Sequence, residues 1–180
     1  MRTLPTIKSN LLAIAFFFGI HPPCKSEIPL QTSLCEVLKD PGAFDHKLIL
    51  VTGSVSRGFE DFTLLSEDCP NDPNFIWLEF GGKIGSRTVY CCGDTNNQGV
   101  RKKNLKIDDI ETSLTIDYQF KRFQAITNKG KHGSAKAVLI GRFFAGSKQT
   151  LPKGPRWVGF GHFGLYSLLV IQQVIYVESN

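Results

Sequence analysis

Toward the C-terminal end of the chain, Gly159-Phe160-Gly161-His162-Phe163-Gly164 spells G-x-G-x-x-G, the spacing with which backbone amides cradle a pyrophosphate. That chemistry needs a strand before the glycines and a helix opening at them, so that the phosphates meet a helix N-terminus. Here a Pro-rich stretch, Leu151-Pro152-Lys153-Gly154-Pro155, precedes the glycines and a strand-like apolar run follows. The segment therefore reads as an aromatic, Gly-rich loop. In such a loop Trp157, Phe160, Phe163 and Tyr166 can stack on bases or sugars, with Lys148, Lys153 and Arg156 upstream as cationic partners. The competing reading packs the same rings down on the fold, where aromatic burial is worth several kcal/mol, roughly.

A second set of chemical groups sits at Arg57 to Asp61. Glu60 and Asp61 are adjacent carboxylates that can work as acid and base or hold a cation, although such pairs in turns also serve by accepting from turn amides. His162 is the one histidine within a Gly-rich loop and can join Glu60 as a metal ligand or proton carrier; His46 and His132 lie in polar turns. No G-x-S-x-G occurs and no Ser or Cys stands in a recognisable nucleophile setting. Arg101, Lys102, Lys103 and Lys106 form the densest basic cluster, read as a solvated loop in preference to a surface for anionic lipid or polysaccharide. The residues assigned to ligand binding are thus Arg57, Glu60, Trp157, Phe160, His162 and Tyr166. No catalytic residue, no metal site and no cofactor is assigned.

The cysteines and the N-terminus speak to compartment. Arg2 and Lys8 precede the ten-residue apolar run Leu11 to Ile20, which ends at His21-Pro22-Pro23. A positive flank, a short apolar stretch and a polar exit match a secretory signal, and the run is too short for a bilayer that needs about 20 residues. Cys24-Lys25-Ser26 puts small residues at −3 and −1, so residues 1–26 are expected to leave and the mature chain to begin at Glu27. A lipid on Cys24 is the alternative, for which Pro23 is a poor neighbour. In an oxidising compartment Cys35, Cys69, Cys91 and Cys92 can pair in three ways, except that strand neighbours such as Cys91 and Cys92 point to opposite faces. No C-x-x-C or H-x₃-H spacing suggests zinc.

Charge narrows the partners. The formal net charge is +5, but residues 1–26 hold three basic and no acidic groups, which leaves 18 basic against 16 acidic side chains in the mature chain. That balance and the expected export disfavour nucleic acid. With 180 residues and 14 Phe, the chain has material for one domain with a packed core, taken as residues 27–180.

The elements that must position these groups follow from periodicity. Gln31 to Asp40 predicts a short helix with a Ser33/Glu36 capping box, stopped by Pro41 and Gly42. Leu48 to Leu65 predicts a hairpin whose long first strand carries Gly53, expected to mark a bulge or bend. Phe75 to Phe80 alternates Ile76 and Leu78 against Trp77 and Glu79 as a third strand. Thr88 to Cys92 is read as a further short strand, and residues 93–106 as an exposed polar loop. Ile116, Phe120, Phe123 and Ile126 recur at helical spacing, which predicts a helix over Leu114 to Thr127. Ala135 to Ala145 then repeats the glycine-broken strand at Gly141, and Leu165 to Glu178 closes the chain. The fold class expected is mainly β: a five-stranded OB-fold-like barrel with one helix between its third and fourth strands and a short N-terminal helix.

The block LCEVLKDPGAFDHKLILVTGSVSRGFEDFTLLSEDC, with IWLEF after it and GRFF and GFGHFG near the end, resembles a group of exported bacterial proteins with an OB-like barrel and no known activity. The resemblance covers most of residues 34–178. It implies that Cys35 and Cys69 form the disulfide, with Cys91 and Cys92 as additions in this chain. Together these readings point to a monomeric, exported binding module, periplasmic or secreted, that meets an extracytoplasmic ligand or protein through barrel-rim loops. The alternatives are a structural or assembly component of the cell envelope and a metal-dependent enzyme built on Glu60 and His162.

Overall fold

A computed structural model describes residues 27–58, 61–69, 74–84, 99–128, 133–151 and 154–180. The elements run β1 (Leu30–Gln31), α1 (Leu34–Lys39), α2 (Pro41–Phe44), β2 (Leu48–Arg57), β3 (Phe62–Leu65), β4 (Phe75–Phe80), β5 (Lys106–Ile107), β6 (Ile110–Glu111), α3 (Tyr118–Thr127), β7 (Gly133–Phe144), β8 (Ser147–Leu151), β9 (Gly154–Val158) and β10 (Leu168–Ser179). The expected strand at Thr88 to Cys92, with both of its cysteines, lies outside the described residues.

Five strands close a barrel in the order β2-β3-β4-β10-β7, with β7 pairing back to β2. Every pairing within it is antiparallel except β4 with β10. This is the expected OB-like plan, with α3 between the third and fourth barrel strands. Closure removes the free edges that a five-stranded sheet would expose. Among the described residues β1 adds on the outside, parallel to the first half of β2.

Alternation explains the interior. Ile49, Val51 and Val55 of β2, Ile76, Leu78 and Phe80 of β4, and Ala135, Ala137, Leu139 and Phe143 of β7 point inward and are essentially inaccessible. From α3, Phe120 and Phe123 meet Phe80 edge-on at 5.4 and 6.1 Å. Leu34 and Val37 of α1 join the same cluster.

The disulfide Cys35–Cys69 ties α1 to the segment after β3, with Cα atoms 5.1 Å apart. The capping box is present: the Glu36 amide donates to Ser33 Oγ at 3.2 Å, and the Ser33 amide donates to the Glu36 carboxylate at 3.1 Å.

Four local expectations are corrected. First, the N-terminal helix is shorter than Gln31 to Asp40: it stops before Pro41 as expected but begins at Leu34, and a second short helix follows it at once. Asp40 ends α1 and caps α2 through its side chain, and Pro41, with no amide to satisfy, opens the new turn. Second, α3 begins at Tyr118 and not near Leu114, because the Asp117 carboxylate accepts from the Phe120 amide at 2.9 Å and caps it there. The Thr115 amide donates instead to the Gln172 carbonyl of β10, and Ile116 is left exposed.

Third, the bulges are not at the glycines. Residues 48–57 of β2 pair with β7 without a slip, and the register shifts fall in β10, at Ile171/Gln173 and Val174/Tyr176. Gly53 is there for space: a Cβ would stand 2.7 Å from the Leu65 carbonyl oxygen, where β3 begins to pair alongside. Fourth, the basic stretch is not simply solvated. Arg101 Nη2 pairs at 3.0 Å with Glu79, which is 1% exposed, and Arg101 Nη1 donates to the carbonyls of Phe80, Gly82 and Ile84. Lys102 and Lys103 are exposed.

Candidate functional site

Outward side chains of the same barrel strands build a second cluster. Trp77 of β4, Phe144 of β7 and Leu168 and Val170 of β10 are buried together with Phe160. The small β5–β6 hairpin packs Ile107 and Ile110 against them. At the β3 side this cover stops, and a groove of about 410 Å³ opens, lined by Ser56, Asp61, Thr63, Leu65, Phe75, Trp77, His162 and Tyr166. Its size suits a small-ligand site.

The aromatic wall of the groove comes from β4 and from the loop before β10. Phe75 and Trp77 share the outer face because residues two apart in a strand do. Tyr166 lies against both: its ring is 4.7 Å from that of Phe75 and is stacked on the Trp77 indole at 6.2 Å with 10° between planes. The loop is held by a reciprocal bridge, in which Phe160 N donates to Tyr166 O at 2.8 Å and Tyr166 N donates to Phe160 O at 3.1 Å.

Within that bridge the chain makes one 3-10 turn, His162–Gly164. Gly161 has φ +68°, and a Cβ on it would overlap the Trp77 indole, so the loop lies directly on the ring. Phe163 is held at φ 56° with its side chain 74% exposed, a strained setting for a bulky residue. His162 lies edge-on to it at 4.0 Å. A turn followed by a strand replaces the strand-to-helix frame that a dinucleotide fingerprint requires.

The polar wall comes from the hairpin that opens the barrel. Ser56 Oγ donates to Asp61 Oδ2 at 2.7 Å. This fixes the carboxylate across the hairpin turn and leaves its other oxygen as an acceptor. Thr63, one strand over, adds a hydroxyl. The set can donate and accept hydrogen bonds beside flat rings. Among the described residues there is no group of three or more His, Cys, Asp or Glu able to bind a metal ion.

Of the residues assigned from sequence, the structure brings His162 and Tyr166 together in the groove. Phe160, 8% exposed, lies beneath the loop as part of its anchor. Trp157 is half-buried in the β8–β9 hairpin, its indole against Gly146 and Gly159, and does not line the groove. Arg57 turns the other way. Its guanidinium stacks on Phe62 and Phe80 at 4.9 and 5.2 Å and donates to Asn128 Oδ1 at 2.7 Å, at the end of α3. Burial there pulls its pKa below the ordinary arginine value, against the opposing charge of Glu79. Glu60 lies outside the described residues.

Sequence reasoning passed over Phe75, Trp77 and Thr63 as site residues. The signal for the first two was present in FIWLEF, where Phe75 and Trp77 share the face opposite Ile76 and Leu78, but spacing alone attaches no ligand role to that face.

Compared with protein-family models, with curated proteins and with solved structures, the chain matches none of them.

Proposed function

We propose that this chain is a non-catalytic binding module that takes its ligand in the groove on the outer face of β2, β3 and β4, under the loop of residues 159–166. The observation that carries the proposal is the shelf of Phe75, Trp77 and Tyr166 facing the Ser56–Asp61 pair and Thr63. The β2, β3 and β4 residues of the groove stand on a closed barrel, and Tyr166 is tied down by its backbone bridge to Phe160, so much of the lining is positioned before any ligand arrives. That arrangement lowers the ordering cost of binding. The strained Phe163 beside His162 at the loop tip fits a ligand clamp.

Export belongs to the same reading. The disulfide Cys35–Cys69 supports an oxidising compartment, and residues 1–26 have the pattern of a secretory signal. Among the described residues no helix is long and apolar enough to cross a membrane.

The test is a thermal-shift screen of the oxidised protein against glycans, peptides, lipids, oligonucleotides and metal ions, repeated with Tyr166→Ala and Phe75→Ala. At least one class is expected to raise the melting temperature of the parent protein, and both substitutions to remove the shift. A ligand whose effect survives both substitutions places the site elsewhere and overturns the proposal.

A further inference from the structure

We infer that the ligand of this groove is an uncharged oligosaccharide; the inference rests on the binding-module reading above and names its ligand class. The first argument is charge. Among the described lining residues there is no Lys or Arg, and the one carboxylate is Asp61. The arginines closest in sequence to these strands are committed elsewhere, Arg57 to Phe62, Phe80 and Asn128 and Arg101 to Glu79. A nucleic acid draws most of its affinity from cations set against phosphates. Here its phosphates would meet a carboxylate.

The second argument is the match of chemical types. A sugar ring presents an apolar C–H face and a rim of hydroxyls, each both donor and acceptor. The Tyr166 and Trp77 planes, 10° apart, with Phe75 at 4.7 Å from Tyr166, offer flat apolar surface. Asp61, Thr63, Ser56 and His162 surround it with groups that accept and donate at short range. The walls thus carry what a polyhydroxylated ligand needs and lack what a polyanion needs.

The third argument is length. Leu65 also lines a second, wider depression of about 1460 Å³ that runs over the outer side of β2 toward the start of α1. Thr52, Ser54 and Ser66 give that depression hydroxyls, beside one cation, Lys136, and two carboxylates, Glu67 and Asp68, so that its lining carries no excess of positive charge. A chain of sugars anchored on the aromatic shelf would continue across Leu65 into this depression, so several linked units fit the surface better than one.

The experiment titrates the full oxidised chain with uncharged oligosaccharides of one to six units (β-1,4-linked glucose, N-acetylglucosamine, xylose and mannose series). A single-stranded oligonucleotide, an anionic uronic-acid oligomer and a mixed peptide pool run in parallel. One neutral series is expected to raise the melting temperature by about 5 °C or more at a hundredfold excess over Kd. Affinity should increase with length to at least three units. Tyr166→Ala should weaken binding at least tenfold, and Thr63→Val, which keeps shape in the strand and removes the hydroxyl, should weaken it severalfold with an unchanged melting temperature of the free protein. A Tyr166- and Thr63-dependent shift with the oligonucleotide, the uronic-acid oligomer or the peptides, and none with neutral sugars, overturns the glycan assignment and leaves the binding-module reading standing. If no probe gives a shift that depends on Tyr166 or Thr63, both fall.

Discussion

The two faces of the same barrel strands are built on different terms. Inward, Ile76, Leu78 and Phe80 of β4 meet the inward residues of β2, β7 and β10 and the α3 phenylalanines, with Arg57 a buried charged side chain at one end. Outward, Trp77 and Glu79 of that strand need separate partners. Trp77 is covered by Gly161 of the loop, and Glu79 is neutralised by Arg101. Phe75, at the open end, is left half-exposed beside Tyr166. The inner face is filled by barrel closure itself, whereas the outer face is covered only where a loop or hairpin reaches it. The groove is the part that none of the described elements covers.

The contrast can be broken by two truncations on β4. Phe80→Ala should cost about 4 kcal/mol in urea unfolding, since it opens a cavity among rings that cannot collapse. Phe75→Ala should cost less than about 1.5 kcal/mol, because the ring is already partly hydrated and leaves no sealed void. Equal losses would mean that the outer ring is packed core, and that the groove is no site.

Glu79→Ala asks whether the covered part of the outer face depends on its buried ion pair. Removing one partner leaves a charge without compensation, and about 3 kcal/mol of stability should go with it. The same urea titration reads this, and Arg101→Met combined with Glu79→Leu should recover much of the loss.

Gly161→Ala sharpens the picture at the boundary between covered and open surface. A left-handed φ costs an alanine about 1–2 kcal/mol, and its Cβ would also push the loop off Trp77. A fall in melting temperature should therefore come with a change in indole fluorescence, while far-ultraviolet circular dichroism stays that of the parent.

The smallest effect expected is electrostatic and lies away from both faces. Glu36 has its pKa lowered, mainly by the Ser33 amide and then by the hydroxyls of Thr32 and Ser33. A carboxyl depressed on folding stabilises above its ordinary value of 4.5 and loses that contribution as the pH falls through the folded value. Glu27, lowered by Arg142, adds in the same direction. Stability measured from pH 6 down to pH 3 should decline, and Glu36→Gln should flatten part of that decline.

Much of the inner face was legible in order of residues. The alternation in Phe75 to Phe80, the paired glycine strands and the helical spacing of Phe120 and Phe123 lead to a five-stranded barrel with one inserted helix, because side-chain period dictates which residues must be buried together. The capping box was equally local, a matter of residues three apart. Boundaries were less legible. Asp117 and Asp40 cap helices that apolar spacing alone runs past or stops short, since a cap competes with propensity over a single residue.

The outer face was legible only in fragments. Tyr166 and His162 stood out by type, but Trp157, Phe160 and Arg57 have the same types and face elsewhere. Which aromatic ring lines a groove and which anchors a loop depends on where a strand from another part of the chain comes to lie, and no spacing within the loop encodes that. The sequence by itself determined the barrel's strand count, its inward residues and the capped N-terminal helix, all set by local period and hydrogen bonding. The tertiary structure decided that Phe75, Trp77 and Tyr166 share one surface with Ser56, Asp61 and Thr63, because only closure of β4 onto β10 carries the loop of residues 159–166 over the first hairpin.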